Sequence, residues 1–214
     1  MYRYKILYAA LFLCSTGVCV GAPAVSGTVT GADGNALADA VVFVQGQPEE
    51  AGKARRQQTV DQVNKTFVPG LLPIVVGTSV RFPNHDQIHH HVYSFSPAKT
   101  FELPLYKGEA APAVLFDKVG VVKIGCNIHD WMSGIILVLP TPHFAVTDTA
   151  GRFVLENLPA GSYSLAAWHS LSKLKPEETV QTVVVGPEAT RVSFKLPLSA
   201  ARTRPAVHGA RTEP

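Results

Sequence analysis

The chain has 214 residues, 19 basic against 16 acidic side chains, 46% apolar residues and three cysteines. That length allows one large or two small domains, and the near-balanced charge excludes the strongly basic footprint of a nucleic-acid binder. Without Arg3 and Lys5, which belong to the leader described next, the 19 basic residues fall to 17 against the same 16 acids.

Residues 1–22 read as a secretory signal peptide: a short basic start, an apolar run over 6–20, then Gly21, Ala22 and Ala24. The run is too short for a comfortable membrane span. It contains Cys14 and Cys19, so Cys126 is the one cysteine left in the mature chain. A lone cysteine in an exported protein cannot form an internal disulfide, and it is either a reactive thiol or a metal ligand.

From Val25 onward the pattern is all-β. Residues 25–30 alternate, Asp33-Gly34-Asn35 is a turn signal, and Ala40-Val41-Val42-Phe43-Val44 is a second strand. Residues 46–58 are polar and charged and read as an exposed linker. Short β-prone runs follow over 60–67, 71–76 and 78–82, and no stretch has sustained helical periodicity. Residues 96–113 read as a long connection anchored by Phe101, Leu103, Leu105 and Tyr106. After residue 138 the pattern continues as strand, turn and strand over 145–155, with further strands over 158–168, 179–185 and 191–196. The tail, residues 199–214, has no periodicity and reads as disordered.

The chemistry concentrates in Gly125-Cys126-Asn127-Ile128-His129-Asp130-Trp131-Met132-Ser133-Gly134. A thiolate, an imidazole and a thioether on one short loop are three of the four ligands of a blue-copper site, which uses two His, one Cys and a weak axial Met. The preceding strand puts Val122, Ile124 and Cys126 on one face, so Cys126 points into an apolar interior. The missing histidine is expected upstream, where His85, His89, His90 and His91 cluster. Structural zinc rarely takes a thioether, so Met132 favours copper over zinc, and a binuclear copper centre would need a second cysteine in the loop. Considered singly, a buried Cys and a Met are more often core packing than ligands. His143, His169 and His208 have no partner at ligand spacing and read as surface or structural residues. Trp131 is read either as a shield for the metal or as simple packing.

Cys126-x2-His129-x2-Met132 followed by Gly134 resembles the ligand loop of the cupredoxins, with a short spacing most like amicyanin. Gly77-Thr78-x-Val80-x-Phe82-x-Asn84 and Phe116-Asp117-x-x-Gly120 resemble two further cupredoxin segments. The likeness covers about residues 58–140. The whole chain also resembles periplasmic cupredoxin-like proteins labelled methylamine utilisation proteins, through His90-His91-Val92-Tyr93-Ser94-Phe95-Ser96 and the Gly125–Met132 segment.

The resemblance implies a Greek-key sandwich with one mononuclear type 1 copper held by His90, Cys126, His129 and Met132. His90 matches the His-x-Val position after Asn84. His91 is its rival, because the His91 face carries the larger side chains Tyr93 and Phe95. Adjacent residues cannot both face inward, and His85 and His89 are expected at the surface.

Gly27-Thr28-Val29, Gly34 and Ala40-Val41-Val42, taken with residues 143–197, resemble a carboxypeptidase regulatory-like sandwich of transthyretin-like, carbohydrate-binding-like fold. Residues 25–46 and 143–197 would then form one sandwich, with residues 58–140 inserted into it.

The implied function is periplasmic one-electron transfer to redox partner proteins, a dehydrogenase or a cytochrome, and not catalysis. Two alternatives stand beside it. One is copper storage or delivery, which would show as easy copper loss and poor redox cycling. The other is a carbohydrate- or protein-binding sandwich using Tyr163 and Trp168, whose glycan binding would persist after Cys126→Ser.

Overall fold

A computed structural model describes residues 24–46, 56–109 and 112–199. The residues read as a leader, most of those read as a linker, and the tail from residue 200 onward lie outside the described residues. Among the described residues there are seventeen strands and one 3-10 turn, Pro176–Glu178, and no helix is long and apolar enough to cross a membrane.

The strands are β1 (Val25–Gly31), β2 (Val41–Val44), β3 (Gln57–Thr59), β4 (Asp61–Val63), β5 (Thr66–Val68), β6 (Leu71–Val75), β7 (Thr78–Arg81), β8 (His90–Ser96) and β9 (Lys99–Tyr106). They continue as β10 (Val114–Phe116), β11 (Gly120–Gly125), β12 (Ser133–Leu139), β13 (Phe144–Val146), β14 (Arg152–Leu155), β15 (Gly161–Trp168), β16 (Gln181–Val185) and β17 (Thr190–Leu196).

Two sheets, β14-β1-β17 and β13-β2-β15-β16, enclose one core. Side chains alternate across a strand, and the core takes every second residue: Val42 and Val44, Phe153 and Leu155, Val183 and Val185, Phe194 and Leu196. β1 and β2 thus share sheets with β13–β17, although residues 56–140 lie between them in sequence. Gly27 sits in the middle of this arrangement, paired with Phe153 on one side and Val192 on the other. A Cβ there would lie 1.8 Å from the Val192 backbone oxygen. Backbone cannot rotate aside, so Gly27→Ala is expected to cost about 3 kcal/mol, read as a lowered urea midpoint at unchanged slope.

A second pair of sheets, β6-β12-β11-β8-β9 and β10-β7-β3, encloses a core of Val80, Phe82, Val92, Phe116, Val122, Ile124, Ile136 and Val138. Proline cannot donate to a ladder, and Pro73 and Pro104 fall on β6 and β9, the two edges of the five-stranded sheet.

Three elements differ from the reading of the sequence. The end of the 46–58 linker is the start of β3, which pairs parallel with β7. The run over 60–67 is not one strand but the hairpin β4–β5, because Asn64 and Lys65 take left-handed backbones (φ 53° and 56°) and form a two-residue turn. The 96–113 connection contains an eight-residue strand, β9, paired along β8. Its Pro104 and its charged outer positions hide the alternation.

A third apolar layer joins the two halves. Val41 and Phe43 of β2, Leu137 and Leu139 of β12, and Ala166 and Trp168 of β15 are buried together. These strands are covered on both faces, which explains their near-continuous apolar sequence.

Candidate metal centre

The β11–β12 hairpin delivers three of the predicted residues at once. Its ladder runs from Gly120↔Val138 to Gly125↔Ser133, so the loop 126–132 springs from two rigid strands. Inside the loop the Met132 N–H donates to the His129 carbonyl at 2.9 Å, and the Cys126 N–H donates to the Met132 carbonyl at 3.1 Å. These bonds fold Cys126, His129 and Met132 back onto one another. β8 runs antiparallel to β11, with Tyr93 opposite Gly125, which brings the start of β8 beside the end of β11.

His90 therefore stands over Cys126. Its Nδ1 is 3.8 Å from the Cys126 Sγ, and the His129 Nδ1 is also 3.8 Å from that sulfur. The donor atoms of His90, Cys126 and His129 all lie within 4.8 Å of one another. All three residues are buried, and Met132 lies with Cys126 in the same apolar core. A metal bound at the ordinary sulfur and nitrogen lengths of about 2.3 and 2.0 Å, with roughly 120° between the bonds, needs S and N donors about 3.7 Å apart. The group present fits that requirement.

His91 points the other way. His90, Val92 and Ser94 are buried on the core face of β8, whereas His91, Tyr93 and Phe95 form an aromatic row on the opposite face, with centroids 5.5 and 5.2 Å apart. The His91 Nε2 meets Glu102 at 2.9 Å, while its Nδ1 is buried without a hydrogen-bond partner. The larger side chains of that row do not mark the interior, since Phe95 is 80% exposed. His85 is exposed and pairs with Asp61, and His89 is exposed. Trp131 is half-exposed with its ring 5.2 Å from that of His129, and Ile128 beside it is also exposed.

Asp86, which was not singled out in the sequence, holds the outer nitrogen of His90: its Oδ2 is 2.7 Å from Nε2. The available signal was an acid four residues before a candidate ligand. Burial works to raise the Asp86 carboxyl, but backbone N–H donors from Lys65 and Asn64 and the His90 ring outweigh it and hold the group below its ordinary value. Desolvation, with His90 and Lys65 nearby, pushes the His129 imidazole below its usual value, which favours the neutral ring that a metal needs.

An open cleft of about 440 Å³ reaches Cys126 and Met132 from the side of Tyr93, Phe95 and Lys123.

No protein-family model matches the chain, and no curated protein does. Among solved structures it is similar to a copper-containing nitrite reductase from Thermus scotoductus SA-01, at 29% identity over 44% of this chain and 25% of that one, with a TM-score of 0.38. The match thus takes in a quarter of the nitrite reductase chain. A purple cupredoxin from Nitrosopumilus maritimus is similar at 26% identity over 39% of this chain and 99% of that one, TM-score 0.34. A reduced amicyanin variant is similar at 20% identity over 46% of this chain and 98% of that one, TM-score 0.36.

Proposed function

We propose that the chain is an exported type 1 copper protein that carries single electrons between redox partners, with His90, Cys126, His129 and Met132 as the ligands. The observation that supports this reading is the position of the Cys126 sulfur, equidistant at 3.8 Å from two imidazole Nδ1 atoms in a buried, apolar site. A soft thiolate with two imidazoles and a thioether suits copper, and copper so held supplies a one-electron couple.

The rest is done by the chain. The β11–β12 hairpin and β8 hold the donors on a rigid frame, so little has to move when an electron arrives. The core that takes in Val92, Ile124, Cys126 and Met132 excludes water from one side of the site. Trp131 and Ile128 present an apolar rim beside His129 to a partner. Four protein ligands leave no position reserved for a substrate, so the role proposed is a carrier and not an enzyme.

Residues 25–46 and 143–197 are proposed as one sandwich into which residues 58–140 are inserted, supported by the pairing of β1 with β14 and β17 and of β2 with β13 and β15. The residue 1–22 leader is the basis for proposing a periplasmic location. No observation favours the storage or glycan-binding readings. His85 is tied to Asp61, and Trp168 is buried between the two halves.

The test is the visible spectrum of the purified protein with Cu(II), beside Cys126→Ser. The expected result is an intense thiolate-to-copper band that a reductant bleaches reversibly and that the variant lacks. A colourless protein, or weak colour that survives the loss of Cys126, would sink the reading.

A further inference from the structure

The segment before β8 carries a carboxylate that the proposed donor set does not use. Asp86 accepts a backbone N–H from Asn64 on Oδ1 at 2.6 Å and one from Lys65 on Oδ2 at 2.7 Å, and the same Oδ2 lies 2.7 Å from the His90 Nε2. Its own N–H donates to the Asn84 Oδ1 at 3.0 Å. Asn84 is buried and spends its amide on the carbonyls of Ile88 and Tyr106, both at 2.9 Å.

The two backbone donors come from the left-handed turn of the β4–β5 hairpin. That hairpin is anchored by Phe67 and Gln62, both fully buried, the Gln62 amide reaching the Tyr106 hydroxyl and the Phe82 carbonyl. The carboxylate is thus clamped from two directions by elements that belong to the core.

An ionised carboxylate can only accept hydrogen bonds. The proton shared with Asp86 therefore belongs to Nε2, and in the neutral ring Nδ1, the atom that faces Cys126, keeps its lone pair. In the other tautomer Nδ1 would carry the proton and could not bind a metal. We infer that Asp86 is a positioning residue: clamped by the β4–β5 turn, it fixes both the tautomer and the rotation of the His90 ring, and so presets Nδ1 as a metal donor. The inference rests on the metal-site reading above. It adds that the hairpin, which contributes no ligand, sets the readiness of one. A partly buried negative charge just behind the ring also favours the higher oxidation state of a metal at Nδ1.

The experiment compares the wild-type chain with Asp86→Asn and Asp86→Ala. In the metal-free proteins, imidazole 15N shifts are expected to show His90 wholly as the Nε2–H tautomer in the wild type and as a mixture in Asp86→Ala. Asp86→Asn keeps an acceptor oxygen and is expected to fall between them. With copper, chelator competition is expected to show a 10–100-fold loss of affinity in Asp86→Ala, and the reduction potential is expected to rise in both variants.

A residue that only stabilised the hairpin would lower the unfolding midpoint and leave tautomer, affinity and potential unchanged; that result overturns the inference. If Asp86→Ala does not fold, Asp86→Asn decides the question by the same readouts. If the wild-type protein takes up no copper, the metal-site reading fails, and the tautomer of the metal-free protein still decides whether Asp86 positions His90.

Discussion

Copper at a thousandfold excess over its dissociation constant is expected to stabilise the folded chain by about 4 kcal/mol. For a chain of this size that is a rise in Tm of roughly 8–16 °C, reversed when a strong chelator strips the metal. The size depends on how much of the site survives unfolding. Cys126, His129 and Met132 lie within seven residues, so the unfolded chain retains three donors on one short segment and keeps some affinity. His90 is 36 residues from Cys126 and joins the site only through the β8–β11 pairing. His90→Ala is therefore expected to remove more of the thermal shift than of the total affinity, because it deletes the donor that only the folded state supplies. Cys126→Ser is expected to abolish most of the shift, since it removes the shared sulfur. The measurement is differential scanning calorimetry with and without Cu(II). A wild-type midpoint indifferent to copper would contradict the proposed site.

Leu137→Asp is expected to destabilise the protein by about 4–5 kcal/mol, a large part of the 5–15 kcal/mol that holds a typical fold together. Leu137 lies on β12, on the face opposite Ile136 and Val138, and is buried against the β2 and β15 side chains of the other pair of sheets. The substitution loses the burial of a leucine, about 2 kcal/mol, and places a carboxyl where the surrounding side chains are apolar and offer no partner. Leu137→Met, which keeps volume and polarity, is expected to cost less than about 1.5 kcal/mol. Urea unfolding followed by circular dichroism and by the fluorescence of Trp131 and Trp168 tests the pair. Both probes are expected to shift together, because the layer belongs to both halves. A loss below about 0.5 kcal/mol for Leu137→Asp would mean that the halves do not depend on this layer.

The 126–132 loop was legible in the sequence as a candidate donor set because it is local. Cys126, His129 and Met132 are joined by one hairpin, and the spacing that suggests a ligand set is the spacing that the loop's own hydrogen bonds fold together. The all-β character was legible for the same reason, since alternation is a property of neighbours. β9 escaped notice because an edge strand tolerates a proline and exposes one face, which leaves little apolar periodicity to see.

What the sequence determined by itself is therefore the all-β character, most of the strands with a buried face, and the close spacing of Cys126, His129 and Met132. The tertiary structure alone decided which histidine stands beside Cys126. His90 and His91 are adjacent on one strand, and alternation says only that they face opposite ways. Which way is inward depends on where the β10-β7-β3 sheet packs, a fact held by residues outside the segment. The tertiary structure also decided the surroundings of Asp86, whose partners Asn64 and Lys65 lie about twenty residues earlier on a turn made by two left-handed backbones. It likewise decided that β2, β12 and β15 are covered on both faces. Periodicity is written along the chain, but which face meets which sheet is a property of elements brought together from far apart in it.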